Sequence, residues 1–194
     1  VDDRVRDAFV AVDRRGFLPR HERRWAADDR PLAIGHGQTN SQPSTVAAML
    51  ELLAVEPGQR VLDVGSGSGW TTALLGHLVG PSGEVVGVEL VEELAAWGAE
   101  NLAALHMPWT SIRVAEPGTY GVPEQGPYDR ILVSAEALDL PDELVDQLGP
   151  GGRMVIPVDG RMLLVRRRDD ETLDVTTHGW YRFVPLLPAR AESD

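Results

Sequence analysis

The sequence predicts an α/β fold: a doubly wound, mostly parallel sheet with helices on both faces and a C-terminal antiparallel hairpin. Three observations predict it. From residue 61 onward, short runs of Val, Ile and Leu alternate with stretches of helical periodicity, the rhythm of right-handed βαβ units. Gly65, Gly67 and Gly69 cluster where the first such run passes into a helical stretch, the place where open sheets of this kind bind ligands. Near the end, residues 161–168 and 173–180 flank a polar turn and read as a hairpin.

Taken in order, Val5, Ala8, Phe9 and Val12 fall at helical spacing, so residues 3–14 read as a short amphipathic helix ended by Gly16 and Pro19. Residues 20–43 read as irregular and polar, broken by Pro31, Gly35, Gly37 and Pro43. An unstructured connection of that length is often functional. A second helix carries Val46, Met49, Leu50 and Leu53 on one face and closes at Pro57-Gly58. Residues 61–64 form a first strand, 71–79 a helix, and 85–88 a second strand. Residues 92–105 form a helix with Leu94, Ala95, Gly98, Leu102 and Leu105 in phase. A third strand spans 112–114 and a fourth 128–134, followed by a helix that Pro141 starts and Gly149-Pro150-Gly151-Gly152 stops. Residues 154–158 make the fifth strand.

Composition removes whole classes of function. The 194 residues include no Cys, which excludes disulfides, thiolate nucleophiles and Cys-ligated metal. A formal charge of −12 argues against nucleic acid as a partner. The densest basic run, Arg166-Arg167-Arg168, is followed at once by Asp169-Asp170-Glu171 and reads as a solvated hairpin turn. His21, His36, His77, His106 and His178 lack metal-ligand spacing, so no metal is expected. No stretch approaches the about 18 apolar residues of a membrane helix. The start, Val1-Asp2-Asp3-Arg4, is unlike a signal peptide, so no membrane partner and a cytoplasmic location are expected. With 6% aromatic residues the core must rest on Val, Leu, Ile and Ala, with Trp70 and Trp97 as the clearest aromatic additions.

The most informative segment is Val61-Leu62-Asp63-Val64-Gly65-Ser66-Gly67-Ser68-Gly69-Trp70. Dinucleotide enzymes use G-x-G-x-x-G, whereas this loop is G-x-G-x-G, and it lacks the Lys of a phosphate-binding P-loop. The pattern D-x-G-x-G-x-G resembles motif I of class I methyltransferases, which have a Rossmann-like fold and bind S-adenosylmethionine. Asp63, Gly65, Ser66, Gly67, Ser68 and Gly69 are the corresponding cofactor-binding candidates. Glu89 ends the second strand, where an acid can accept hydrogen bonds from ribose hydroxyls.

Four further blocks narrow the likeness to a family. They are Ala8-Phe9-Val10-Ala11-Val12 with Phe17-Leu18-Pro19; Ile34-Gly35-His36-Gly37-Gln38-Thr39-Asn40-Ser41-Gln42-Pro43; Tyr128-Asp129-Arg130-Ile131 with Leu148 to Val158; and Phe183-Val184-Pro185-Leu186. Over nearly its whole length the chain resembles the protein-L-isoaspartate O-methyltransferases. The Gln-Thr-x-Ser-x-Pro loop is the most specific part of that likeness. The resemblance implies methyl transfer to the α-carboxylate of an isoaspartyl residue in a damaged protein or peptide. The ester then collapses to a succinimide, allowing partial repair.

The resemblance also implies roles. Ser41 would position the acceptor, with Thr39 beside it; Gln38, Asn40, Ser134 and Ala135 would line the substrate pocket. The alternative for Ser41 is a helix-capping hydroxyl ahead of Pro43. Asn40 stands where the family usually has Ile. Matching Gly118-Thr119-x-Gly121 to the family's G-D-G puts Pro117 at the adenine-contacting Asp and leaves Glu116 as the nearest acid. His36 lies in the signature loop, and Glu136 reads as a solvated acid. The implied organisation is one domain: residues 1–57 as N-terminal helices and substrate loop, 58–158 as cofactor-binding core, and 159–194 as C-terminal hairpin and tail. The same residues also suit a carboxyl methyltransferase for a biosynthetic peptide or small molecule, a non-catalytic cofactor or peptide binder, or a nucleotide-dependent oxidoreductase.

Overall fold

The computed structural model describes residues 2–187; Val1 and the tail beyond Leu187, included in the segments above, lie outside the described residues. Helix α1 spans Asp3–Ala11, capped by the Asp2 carboxylate on the Arg4 N–H. It is shorter than the 3–14 expected, because Asp13 accepts the Arg15 N–H and starts a separate 3-10 turn, Arg14–Phe17.

The stretch read as irregular contains a hairpin. Strand β1, Leu32–Gly35, pairs antiparallel with β2, Gln38–Asn40. Leu32 and Ile34 alternate inward, and the two-residue turn places His36 at φ 53° and Gly37 at φ 73°. That left-handed pair matches the twist of a hairpin. The alternation and the Gly-His-Gly turn were visible in the sequence but too short to outweigh the surrounding polar residues. Helix α2, Pro43–Leu53, buries Val46, Met49, Leu50 and Leu53 as expected. Left-handed Ala54 terminates it before Pro57 is reached.

The remaining elements are β3 (Arg60–Val64), α3 (Trp70–Val79), β4 (Glu84–Glu89), α4 (Glu92–Ala103), β5 (Thr110–Val114), β6 (Tyr128–Val133), α5 (Asp142–Val145), β7 (Leu148–Val158), β8 (Arg161–Arg167) and β9 (Leu173–Trp180). They build one seven-stranded sheet in the order β5-β4-β3-β6-β7-β8-β9. The first five strands in that order run parallel, and β8 and β9 close the sheet as the antiparallel hairpin. The glycines at 149–152 do not stop a helix. They bulge within β7, between the pairs Tyr128–Leu148 and Arg130–Arg153, so α5 is only four residues long.

Burial alternates through the sheet. Val61, Leu132, Val155 and Leu164 face α1, α2 and α3, while Leu62, Val64, Ile131, Val133 and Ile156 face α5 and its flanking loops. Every residue of α3 except His77 is buried, which is why its sequence reads apolar on all sides. Trp70 sits in that core, edge-on to Phe9 at 5.4 Å, while Trp97 is only partly buried. Chain order reverses between β3 and β6, which opens a crevice at the carboxyl ends of the strands.

Candidate functional site

The crevice begins with the loop from β3 to α3. Gly65, Gly67 and Gly69 adopt φ of 77°, 52° and 91°, values that side-chain-bearing residues adopt only with strain. At Gly69 a Cβ would lie 3.1 Å from the carbonyl oxygen of Gly98, so the bare backbone lets α3 and α4 approach. The N–H groups of Gly65 and Ser66 both point at the carbonyl of Val88, at 2.9 and 3.2 Å.

Glu89 completes the loop. It is nearly buried, its Oε2 accepts the Gly67 N–H at 2.8 Å, and its Oε1 accepts the Val91 N–H at 3.0 Å. Each oxygen retains acceptor capacity toward the cavity. Among the described residues lining that cavity, Glu89 is the only one with a charged side chain. A pyrophosphate would find no basic group there, whereas a cationic sulfonium carrying a ribose meets a lone carboxylate. The buried Ser66 hydroxyl, which has no hydrogen-bond partner among the described residues, adds a polar group facing no protein partner. These features fit S-adenosylmethionine.

Most of the expected site residues converge. Gln38, Thr39, Asn40 and Ser41 come from β2 and its exit; Gly65, Ser66, Gly67 and Ser68 from the loop; Ser134 and Ala135 from the end of β6. Three do not line the cavity. Asp63 is fully buried beneath the loop, and its Oδ2 accepts both the Thr71 and Thr72 hydroxyls at 2.7 Å. Burial pushes its pKa up to about 6, against the two threonine hydrogen bonds. Its Oδ2 fixes the first turn of α3, while its Oδ1 has no hydrogen-bond partner among the described residues. Gly69 serves as the left-handed N-cap of that helix. Glu116 is turned out to solvent by the turn that returns Thr119 N–H to its own carbonyl, and it pairs with Arg113 at 3.4 Å. Thr119, Tyr120 and Gly121 form the cavity wall there.

Ser41 is not a helix cap. Asp29 caps α2 by accepting the Ser44 N–H at 2.8 Å, and this bond is the main cause holding the Asp29 carboxyl below its usual range. The Ser41 hydroxyl has no protein hydrogen-bond partner among the described residues. It lines both the cofactor cavity and an adjoining groove, as do Thr39, Ser134 and Val184. The far side of that groove is formed by Trp180, Tyr181, Arg182 and Phe183. His36 stands in the hairpin turn, outside both spaces.

Sequence reasoning missed two residues that organise the site. Arg14 is buried and bonds to the backbone of the hairpin region. Glu136, read as a solvated acid, accepts backbone N–H groups with both carboxylate oxygens. Its position directly after Ser134-Ala135 was the available signal. Phe183-Val184-Pro185-Leu186, noted only as a family likeness, contributes the cavity wall from Val184 onward.

The switch-point crevice, the three-glycine loop and the single acid at the end of β4 define a class I methyltransferase using S-adenosylmethionine. A family profile described as protein-L-isoaspartate(D-aspartate) O-methyltransferase (PCMT) matches residues 1–191. The chain belongs to that family. It is 44% identical over 190 residues to a protein-L-isoaspartate O-methyltransferase of Methanopyrus kandleri, covering 95% of this chain and 84% of the relative. The corresponding protein of Roseiflexus castenholzii is 43% identical over 193 residues, covering 98% and 87%. A solved protein-L-isoaspartate O-methyltransferase superimposes with TM-score 0.87 at 28% identity; the match covers 97% of this chain but 62% of that longer one. A Plasmodium falciparum structure of the same description, in complex with S-adenosyl-L-homocysteine, gives TM-score 0.81 at 29% identity and covers 96% and 91%.

Proposed function

We propose that this enzyme transfers a methyl group from S-adenosylmethionine to the α-carboxylate of L-isoaspartyl residues in damaged proteins or peptides. The observation that carries the acceptor side is the junction between the two spaces. Ser41 and Thr39 line the wall shared by the cofactor cavity and the groove. A second observation supports a carboxylate acceptor: among the described residues lining the groove, Arg182 is the only one with a charged side chain.

Bound in the cavity, the cofactor supplies an activated methyl on a sulfonium sulfur. An acceptor carboxylate would take that methyl with its own oxygen lone pair, the cofactor leaving as the neutral thioether. No proton moves, so no general base is needed. Ser41 donates a hydrogen bond that orients the carboxylate, with Thr39 beside it, while Gln38, Ser134 and Ala135 shape the pocket. With the cofactor bound, Glu89 would accept from the ribose and residues 65–68 would hold the methionine part. Rate comes from alignment and from excluding water.

Asn40 gives no reason to prefer another acceptor, because its carboxamide is engaged by Arg14. Within this reading the chain works as one domain in the cytoplasm, without metal, membrane or nucleic acid. No described helix is long and apolar enough to cross a membrane, and no group of three or more described His, Cys, Asp and Glu residues is placed to hold a metal ion. The test is methyl transfer from labelled cofactor to a matched pair of isoaspartyl and aspartyl peptides. Incorporation into the isoaspartyl peptide alone is expected. Incorporation into neither, by protein that binds S-adenosylhomocysteine, would reject the acceptor.

A further inference from the structure

After β9 the chain runs back along the mouth of the site as a strap, residues 181–187. Residues 181–184 border the groove, and residues 184–187 wall the cofactor cavity. The strap stands outside the seven-stranded sheet, so its backbone polar groups need partners from elsewhere.

Residue 136 supplies them. The Glu136 N–H donates to the carbonyl of Val184 and the Glu136 carbonyl accepts the Leu186 N–H, both at 2.7 Å. The side chain adds two more bonds. Oε2 accepts the Phe183 N–H at 3.1 Å, and Oε1 accepts the Gly160 N–H at 2.9 Å. Gly160 in turn accepts the Tyr181 N–H at 2.9 Å, closing a ring from Glu136 through Gly160 and the strap back to Glu136. Ala137 is bonded to the end of β7 through Pro157 and Asp159. One carboxylate therefore ties the strap to the turn between β7 and β8. Bonds from backbone N–H to a carboxylate are about twice as strong as neutral ones.

We propose that Glu136 is a positioning residue: by fixing the strap it shapes the cofactor cavity and the acceptor groove together, so that binding at one is coupled to binding at the other. The groove half of this inference rests on the acceptor proposed above. Between the bonded residues Tyr181 and Phe183, Arg182 is exposed and makes no hydrogen bond or ion pair among the described residues. The clamp thus holds an exposed guanidinium beside the groove, where an acceptor carboxylate would enter. A ligand that orders the strap for one space lowers the cost of ordering it for the other.

The test compares wild type with Glu136→Ala, Glu136→Gln and Arg182→Ala. Calorimetry with S-adenosylhomocysteine, steady-state kinetics with an isoaspartyl peptide, hydrogen exchange of the strap and melting temperature are measured on each. Glu136→Ala should raise both the cofactor Kd and the peptide KM by about tenfold or more, since both charge-assisted bonds, to Phe183 and to Gly160, are lost. It should leave kcat nearly unchanged, because the strap contributes equally to ground and transition states. The Phe183 and Leu186 amides should exchange faster. Glu136→Gln, which keeps one acceptor oxygen, should fall between. Arg182→Ala should raise KM while leaving the cofactor Kd alone. A purely structural role predicts a lower melting temperature with wild-type Kd and KM, and that result overturns the proposal. If Glu136→Ala does not fold, a wild-type Kd in Glu136→Gln overturns it equally. If the wild type ignores the isoaspartyl peptide, the acceptor falls, while calorimetry and exchange still decide the strap.

Discussion

Arg14 donates its Nε–H to the Oδ1 of Asn40 at 2.8 Å, inside a cage where its other nitrogens bond to carbonyl oxygens of residues 26, 28, 30, 40 and 41. The guanidinium also lies 5.2 Å from the Trp70 ring centroid. Burial lowers its pKa to about 10, opposed chiefly by Asp29, so it remains a cation at neutral pH. Asn40, the departure from the family's usual Ile, is therefore half of a polar pair. Through it the turn after α1 holds the hairpin that carries Thr39 and Ser41.

Replacing Asn40 by the family residue should expose the value of that pair. Asn40→Ile leaves a buried charged donor unpaired, and urea denaturation should show a loss of about 1–3 kcal/mol. Unchanged stability would mean that the cage carbonyls alone satisfy Arg14.

Ser41→Ala should slow single-turnover methyl transfer to an isoaspartyl peptide by about tenfold. That is less than the 10²-fold or more reported for a lost oxyanion donor, because the carboxylate loses charge as it attacks. Since Asp29 provides the cap of α2, the melting temperature should barely move. A destabilised variant with wild-type turnover would remove Ser41 from the site.

For Glu89→Ala, calorimetry with S-adenosylhomocysteine should show binding weakened by about 1–3 kcal/mol. Stability should fall as well, because the same carboxylate holds the N–H groups of Gly67 and Val91. An unaltered affinity in folded protein would leave Glu89 as a loop tie only.

Asp63 makes a pH prediction. Its folded pKa of about 6 lies above the ordinary 3.8, so between those values the native state holds a proton that the unfolded chain has released. Its contribution to stability is fully present below about pH 4 and is lost as pH rises through about 6. The gap corresponds to on the order of 3 kcal/mol. Asp63→Asn cannot titrate, so the stability of wild type relative to this variant should decline between pH 4 and pH 7 in paired denaturation curves. A constant difference would show that Asp63 is ionised throughout.

The seven-stranded sheet, the cofactor loop and the family are all legible in the amino-acid sequence. Each of these rests on short-range pattern: Val and Leu runs that bury on both faces, glycines where backbone must turn left-handed, and the contiguous Gln38-Thr39-Asn40-Ser41 segment. Glu89 was legible for the same reason, since the end of a strand beside a glycine loop is a fixed place in a parallel sheet. What the isolated polar residues do depends instead on the folded chain. Asp63 and Glu116 look alike in sequence as acids near the cofactor. One is sealed under α3 with two threonines, and the other is swung into solvent beside Arg113. Glu136 reads as a solvated acid and nothing local marks Arg14, yet partners of the two lie 47 and 26 residues away in the chain. A local pattern fixes backbone conformation, but the partner of a charge is set by which distant segments the sheet brings within hydrogen-bond range.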